Sequence, residues 1–118
     1  MNKNSTNNKL HNAWFDESAN LLKVLGHPVR MKIINLLQHG PLCASDTNTE
    51  IPISQPNLSQ HLKALREAGI IECACHGTKR CYYICRPKLI NDIFNTLKTS
   101  HPKIELNCDK IKAQMNKK

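Results

Sequence analysis

The stretch SQPNLSQHLKALREAGII, residues 54–71, decides how the rest of the chain is read. Ser54 offers a hydroxyl to the unsatisfied N–H groups that open a helix, and Pro56 suits a first turn. Leu58, Leu62 and Leu65 then recur at helical spacing and give the segment one apolar face. Gln55, Asn57, Ser59, Gln60 and Lys63 are left for the other face, with His61 between the two. Gln and Asn amides pair with adenine edges, a serine hydroxyl reaches a base or a phosphate, and Lys neutralises phosphate. The helix ends near Ala68-Gly69. Polar residues on a helix surface are most often simply solvated, so its neighbours must decide what this face does.

The neighbours point one way. Residues 70–76 and 80–85 are rich in Ile, Tyr and Cys and flank His76-Gly77-Thr78-Lys79, the pattern of a β-hairpin. Lys79 and Arg80 sit at its tip and Arg86 follows it, a basic wing beside the polar helix. Towards the N-terminus, a helix is expected from Ala13, with Phe15, Ala19, Leu22 and Leu25 on one stripe and Gly26 as its stop. His27-Pro28 starts a second helix with Val29, Ile33, Leu36 and Leu37 inward, ending at Gly40. Residues 42–50 read as a short, weak helix diluted by Ser, Thr and Asn. Pro87 opens a last helix bearing Leu89, Ile90, Ile93, Phe94 and Leu97. Helix, helix, short helix, capped helix, hairpin, helix is the order of a winged helix-turn-helix, mainly α with a small β wing. Residues 1–12, polar and without apolar period, are expected to be a disordered arm. The domain then spans residues 13–98, and a basic tail spans 99–118.

Composition agrees with a nucleic-acid partner. The 118 residues make one modest domain, and 17 Lys and Arg against 9 Asp and Glu leave a charge of +8. Residues 51–88 and 98–118 each carry +4 of it. No apolar run approaches the ~18 residues of a membrane span, and the opening MNKNSTNN lacks a signal-type apolar stretch. A cytoplasmic protein with reduced thiols is therefore expected, and no membrane partner. No nucleophile–base pair, phosphate loop or paired acids with a cleft argues for an enzyme. The last helix is apolar enough to need a covering surface, which is either the domain's own core or a second copy of the chain.

LGHPVRMKIINLL at 25–37, ISQPNLSQHLKALREAGII at 53–71 and RCYYI at 80–84 together resemble the ArsR/SmtB family of winged-helix repressors. The resemblance covers roughly residues 13–98. Its most specific parts are L-x-H-P-x-R at 25–30 and S-Q-x-x-x-S-Q-H-L-K at 54–63. It implies a homodimer joined by first and last helices, with recognition helices about 34 Å apart on an inverted repeat of double-stranded DNA. It also implies repression that is relieved when a metal, metalloid or sulfur oxidant binds. Ser54, Gln55, Asn57, Ser59, Gln60 and His61 fall at the family's DNA-reading positions.

The inducer is a separate question. Arsenic-responsive members often carry Cys-x-Cys-x-x-Cys entering the third helix. Here Cys43-Ala44-Ser45-Asp46-Thr47-Asn48 keeps one cysteine. Zinc- and nickel-type members place carboxylate and imidazole ligands on the last helix, where this chain has Pro87, Leu89, Ser100 and Lys103. Persulfide sensors pair cysteines on the second and last helices, and neither has one here. Four of the six cysteines, Cys73, Cys75, Cys81 and Cys85, crowd the wing instead. If His76 pairs with Arg80 around a three-residue loop, all four fall on one side, and Cys75 faces Cys81 within reach of a shared metal. A slip of one residue puts the two pairs on opposite faces and dissolves the site. Thiolates suit As(III), Cd, Pb or Zn, and neighbouring cations also favour redox chemistry. Alternatively, the four pack the wing as small apolar groups, or hold zinc in a structural interaction module. Cys43, as the remnant of a third-helix ligand, and Cys108 are weaker candidates. The leading expectation is a repressor released by a thiophilic metal or metalloid or by thiol oxidation; a regulator without cysteine sensing is the nearest alternative.

Overall fold

In the computed structural model the described residues are 3–43 and 50–116, with side chains described from residue 11 onward. Helices α1 (Lys3–Leu25) and α2 (Pro28–Leu37) lead into a two-residue strand, β1 (Leu42–Cys43). Helix α3 (Gln55–Glu67) is followed by strands β2 (Ile71–His76) and β3 (Lys79–Ile84) and by helices α4 (Pro87–Lys98) and α5 (Cys108–Met115). The expected order of helices around a hairpin is present. The fold is a mainly helical winged helix-turn-helix.

Each helix start has a local cause. The His27 Nδ1 accepts from the Val29 N–H at 3.1 Å, with Pro28 in the first turn of α2. Ser54 Oγ accepts from the Asn57 N–H at 3.3 Å to cap α3. Apolar faces then converge. Leu25, Ile33, Ile34, Leu37, Ile51, Leu58, Leu62, Leu65, Ile70, Ile71, Tyr82, Ile90 and Phe94 form one core with contributions from α1 to α4 and from the sheet. The three leucines read from α3 are all buried in it.

Four expectations are corrected. Helix α1 begins at Lys3, so from that residue the presumed arm is helical. Once a helix has nucleated, extending it through Asn and Ser costs only tenths of a kcal/mol per residue. The inward stripe of α1 is Leu21, Val24 and Leu25, whereas Phe15, Ala19 and Leu22 are exposed. The short helix expected at 42–50 starts as strand β1, and residues 44–49 lie outside the described residues.

The hairpin register is the fourth. His76 pairs with Lys79, Cys75 with Arg80, Ala74 with Cys81 and Cys73 with Tyr82. The loop therefore has two residues, Gly77 and Thr78, rather than three. Gly77 has φ +65°, and no residue other than glycine has positive φ among the described residues. That is the form of tight hairpin in which glycine alone supplies the left-handed position. β1 adds to the other edge of β3, pairing Leu42 with Tyr82 and Cys43 with Cys81, so the sheet order is β1-β3-β2.

Candidate DNA interface and cysteine sites

Helix α3 presents the polar face read from the sequence. Gln55, Asn57, Ser59, Gln60 and Lys63 are exposed, opposite buried Leu58, Leu62 and Leu65. Ser54 is exposed too, although its hydroxyl is engaged in the cap. Tethered leucines hold the helix rigidly while its amides stay open to a partner, the arrangement a recognition helix requires.

A groove of about 470 Å³ separates α3 from the wing, lined by Ser59, Lys63, Arg66, Glu72, Arg80 and Tyr82. Strand alternation explains which wing residues face it. Arg80 and Tyr82 share one face of β3, and Lys79, Cys81 and Tyr83 share the other. Lys79 and Arg80 are both exposed at the tip but leave the strand on opposite sides. Arg86 lies at the opposite end of the hairpin, next to Gly69, and not at the tip. Arg66 is a groove residue the sequence reading missed. Its guanidinium meets Glu72 Oε1 at 3.2 and 3.3 Å, and the same oxygen accepts from the Cys73 N–H at 3.1 Å. The i, i+4, i+7 series Ser59, Lys63, Arg66 was the signal available. This exposed ion pair contributes little stability by itself, but it ties the helix to the first wing strand.

His61 is half-buried between α3 and the start of α2. Arg30 donates from Nε to His61 Nδ1 at 3.2 Å and from a second nitrogen to the Val24 carbonyl at 3.2 Å. The His27 ring lies 4.6 Å from that of His61, centroid to centroid. Burial, and then the nearby His27 and Arg30, lower the His61 pKa below 6.5. The Nδ1 of His61 is thus occupied by the Arg30 guanidinium. The most specific parts of the two sequence motifs, around 27–30 and 54–63, meet at this point.

The four wing cysteines do not converge. With the two-residue loop, Cys73 and Cys75 lie on the face of Tyr82 and Arg80, while Cys81 lies on the face of Ala74. Cys85 is past the ladder, and its thiol donates to the Gly69 carbonyl at 3.2 Å. Cys108 is exposed at the start of α5, a helix with no buried residue. Among the described residues no group of three or more His, Cys, Asp or Glu side chains could hold a metal ion. A multi-thiolate As(III), Cd, Pb or Zn site built on the wing therefore does not fit this geometry. The two sulfurs that meet are Cys43 and Cys81, 2.6 Å apart across β1 and β3.

A buried-backed polar helix, a wing with exposed cations and a groove between them define a winged-helix DNA-binding regulator. Residues 27–72 match the family described as bacterial regulatory protein, arsR family. The chain is 38% identical over 84 residues to a biofilm growth-associated repressor of Xylella fastidiosa, covering 71% of this chain and 73% of that one. It is 38% identical over 87 residues to an arsenical resistance operon repressor of Staphylococcus xylosus, covering 70% and 84%. Its fold matches the solution structure of a homodimeric winged helix-turn-helix DNA-binding domain from Mycobacterium bovis. That match has a TM-score of 0.70 and 24% identity, covering 80% of this chain and 94% of that one. The chain belongs to the ArsR family of transcriptional regulators. Its relatives are regulators and not enzymes, and no helix among the described residues is long and apolar enough to cross a membrane.

Proposed function

We propose that the chain is a cytoplasmic, homodimeric repressor that binds an inverted-repeat operator in double-stranded DNA. Residues 54–63 enter the major groove, Gln55, Asn57, Ser59 and Gln60 read bases, His61 seats the helix against Arg30, and Lys63, Lys79 and Arg80 take phosphates. The observation that carries this reading is the exposed amide-rich face of α3, held on buried leucines beside the Arg80 side of the wing. Helices α1 and α4 supply the dimer contact. Leu22 and Leu97, with 60% and 58% of their surfaces open, are apolar residues that a second copy would cover.

DNA is released when a thiol-reactive species engages the cysteines. A relative's name, arsenical resistance operon repressor, supports a metalloid, whereas the separation of the wing thiols weighs against a multi-thiolate site and the meeting of Cys43 with Cys81 favours oxidation. The test is a promoter gel shift with and without As(III), Cd(II), Zn(II) and a disulfide oxidant, repeated at several salt concentrations. Sequence-selective binding that weakens with ionic strength and is relieved by one of these agents is the expected result. Binding indifferent to sequence and salt overturns the reading.

A further inference from the structure

We propose that Cys43 and Cys81 form a reversible intramolecular disulfide that straps the chain leaving α2 to the wing, and that this bond is the thiol switch of the protein. The proposal rests on the thiol-sensing reading above and identifies its residues. Three observations carry it. The two residues are direct partners in the antiparallel ladder, Cys43 on β1 and Cys81 on β3. Their sulfurs lie 2.6 Å apart, near bonding distance. Both are half-buried, and β1 is an edge strand, so a small oxidant has an approach.

Thirty-eight positions of sequence separate the pair. The closed loop contains α3, so the bond fixes the two ends of the segment that carries the recognition helix. β3 also carries the tip cations, Lys79 two residues before Cys81 and Arg80 one before. Oxidation therefore couples the wing and the helix-bearing segment through one covalent link. The fixed wing loses the adjustment needed to meet the DNA backbone while α3 is seated.

The chemistry balances with a low-molecular-weight disulfide such as glutathione disulfide as oxidant. The thiolate of one cysteine attacks a sulfur of the oxidant, forms a mixed disulfide and expels one glutathione thiolate. The second cysteine attacks the protein sulfur of that mixed disulfide and expels nothing but the second glutathione. One S–S bond of the oxidant is lost and one is made in the protein. The two thiol protons end on the two glutathiones.

The test uses the full chain with Cys73→Ala, Cys75→Ser, Cys85→Ser and Cys108→Ser, so that Cys43 and Cys81 alone remain. Glutathione disulfide is added, and intact mass and promoter affinity are read together. The expected mass change is loss of two hydrogens with no glutathione retained, reversed by dithiothreitol. Adding Cys43→Ser or Cys81→Ser to this variant should instead trap one glutathione. Closure should raise the melting temperature, as a cross-linked loop of this length does, and should weaken promoter binding by about tenfold or more. Two glutathiones retained, or two thiols unchanged, overturns the disulfide. Closure with unchanged promoter affinity overturns the switch. Reduced protein that fails to bind the promoter removes the repressor reading instead, and the mass change still decides whether the bond forms.

Discussion

Arg30 on α2 donates to Nδ1 of His61 on α3 and, through another nitrogen, to the last turn of α1 at Val24. One guanidinium thereby joins three helices at the back of the recognition helix. Replacing it by Ala should lower stability by about 1–2 kcal/mol, the worth of charge-assisted bonds in a partly buried setting. Arg30→Lys should not rescue it, because an ammonium on a flexible stem cannot match the forked donors. Urea unfolding of both variants checks this, and a Lys variant as stable as the wild type would show that charge alone suffices.

The same contact sets a pH dependence. His61 has its pKa lowered, first by burial and then by His27 and Arg30, so the folded protein resists the proton that the unfolded chain accepts. The stability held above 6.5 is lost as pH falls through the window below it, since the unfolded state binds more protons there. The His61→Gln variant keeps an acceptor for Arg30 and removes the titration. Between about pH 7.5 and 5 it should lose less stability than the wild type. Parallel curves for the two proteins would count against this role.

Leu58 and Gln60 separate the two faces of α3. Leu58→Ala removes a fully buried side chain and should cost about 2–5 kcal/mol by calorimetry or denaturant. Gln60→Ala should leave stability within about 0.5 kcal/mol and weaken operator binding by a base contact, about 1–3 kcal/mol. The loss should be concentrated at one operator position. A uniform loss across sequences would make Gln60 a backbone contact.

Lys79→Ala and Arg80→Ala should each reduce the dependence of log affinity on log salt by about 1 without altering sequence preference. Fluorescence anisotropy across a salt series reads this directly. Because the two side chains leave opposite faces of β3, a slope change at Arg80 alone would place the DNA on the α3 side of the wing.

Leu97→Glu should shift the protein from dimer to monomer by light scattering, with little loss of helical content, because the residue is exposed in the isolated chain. A variant that stays dimeric would move the interface away from the end of α4.

The parts legible in the sequence were those with local causes. Leucine spacing at 58, 62 and 65, the Ser54 cap and the proline starts at 28 and 87 act within a few residues, and the structure has each where it was read. The hairpin was legible in existence but not in register. His76-Gly77-Thr78-Lys79 accommodates a loop of either two or three residues, and one position of difference moves Cys81 to the face opposite Cys73 and Cys75. β1 was read as helix because two residues carry no period, and what makes them a strand is pairing with Tyr82 and Cys81, far along the chain. For the same reason the meeting of Cys43 with Cys81 left no local trace. Arg30 stood inside a quoted motif, yet its role depends on packing between helices that spacing alone does not reveal.

The placement of β3 between two neighbours has a mechanical result. A two-stranded finger hinges at its base and can bend towards a partner alone. Here the middle rung, bearing the cationic fingertip, is braced from the side of α2 as well, so the fingertip cannot flex without pulling on the rest of the body. In the reduced protein that brace is two rungs of backbone pairing, at Leu42 and Cys43, short enough to yield as the fingertip settles on duplex.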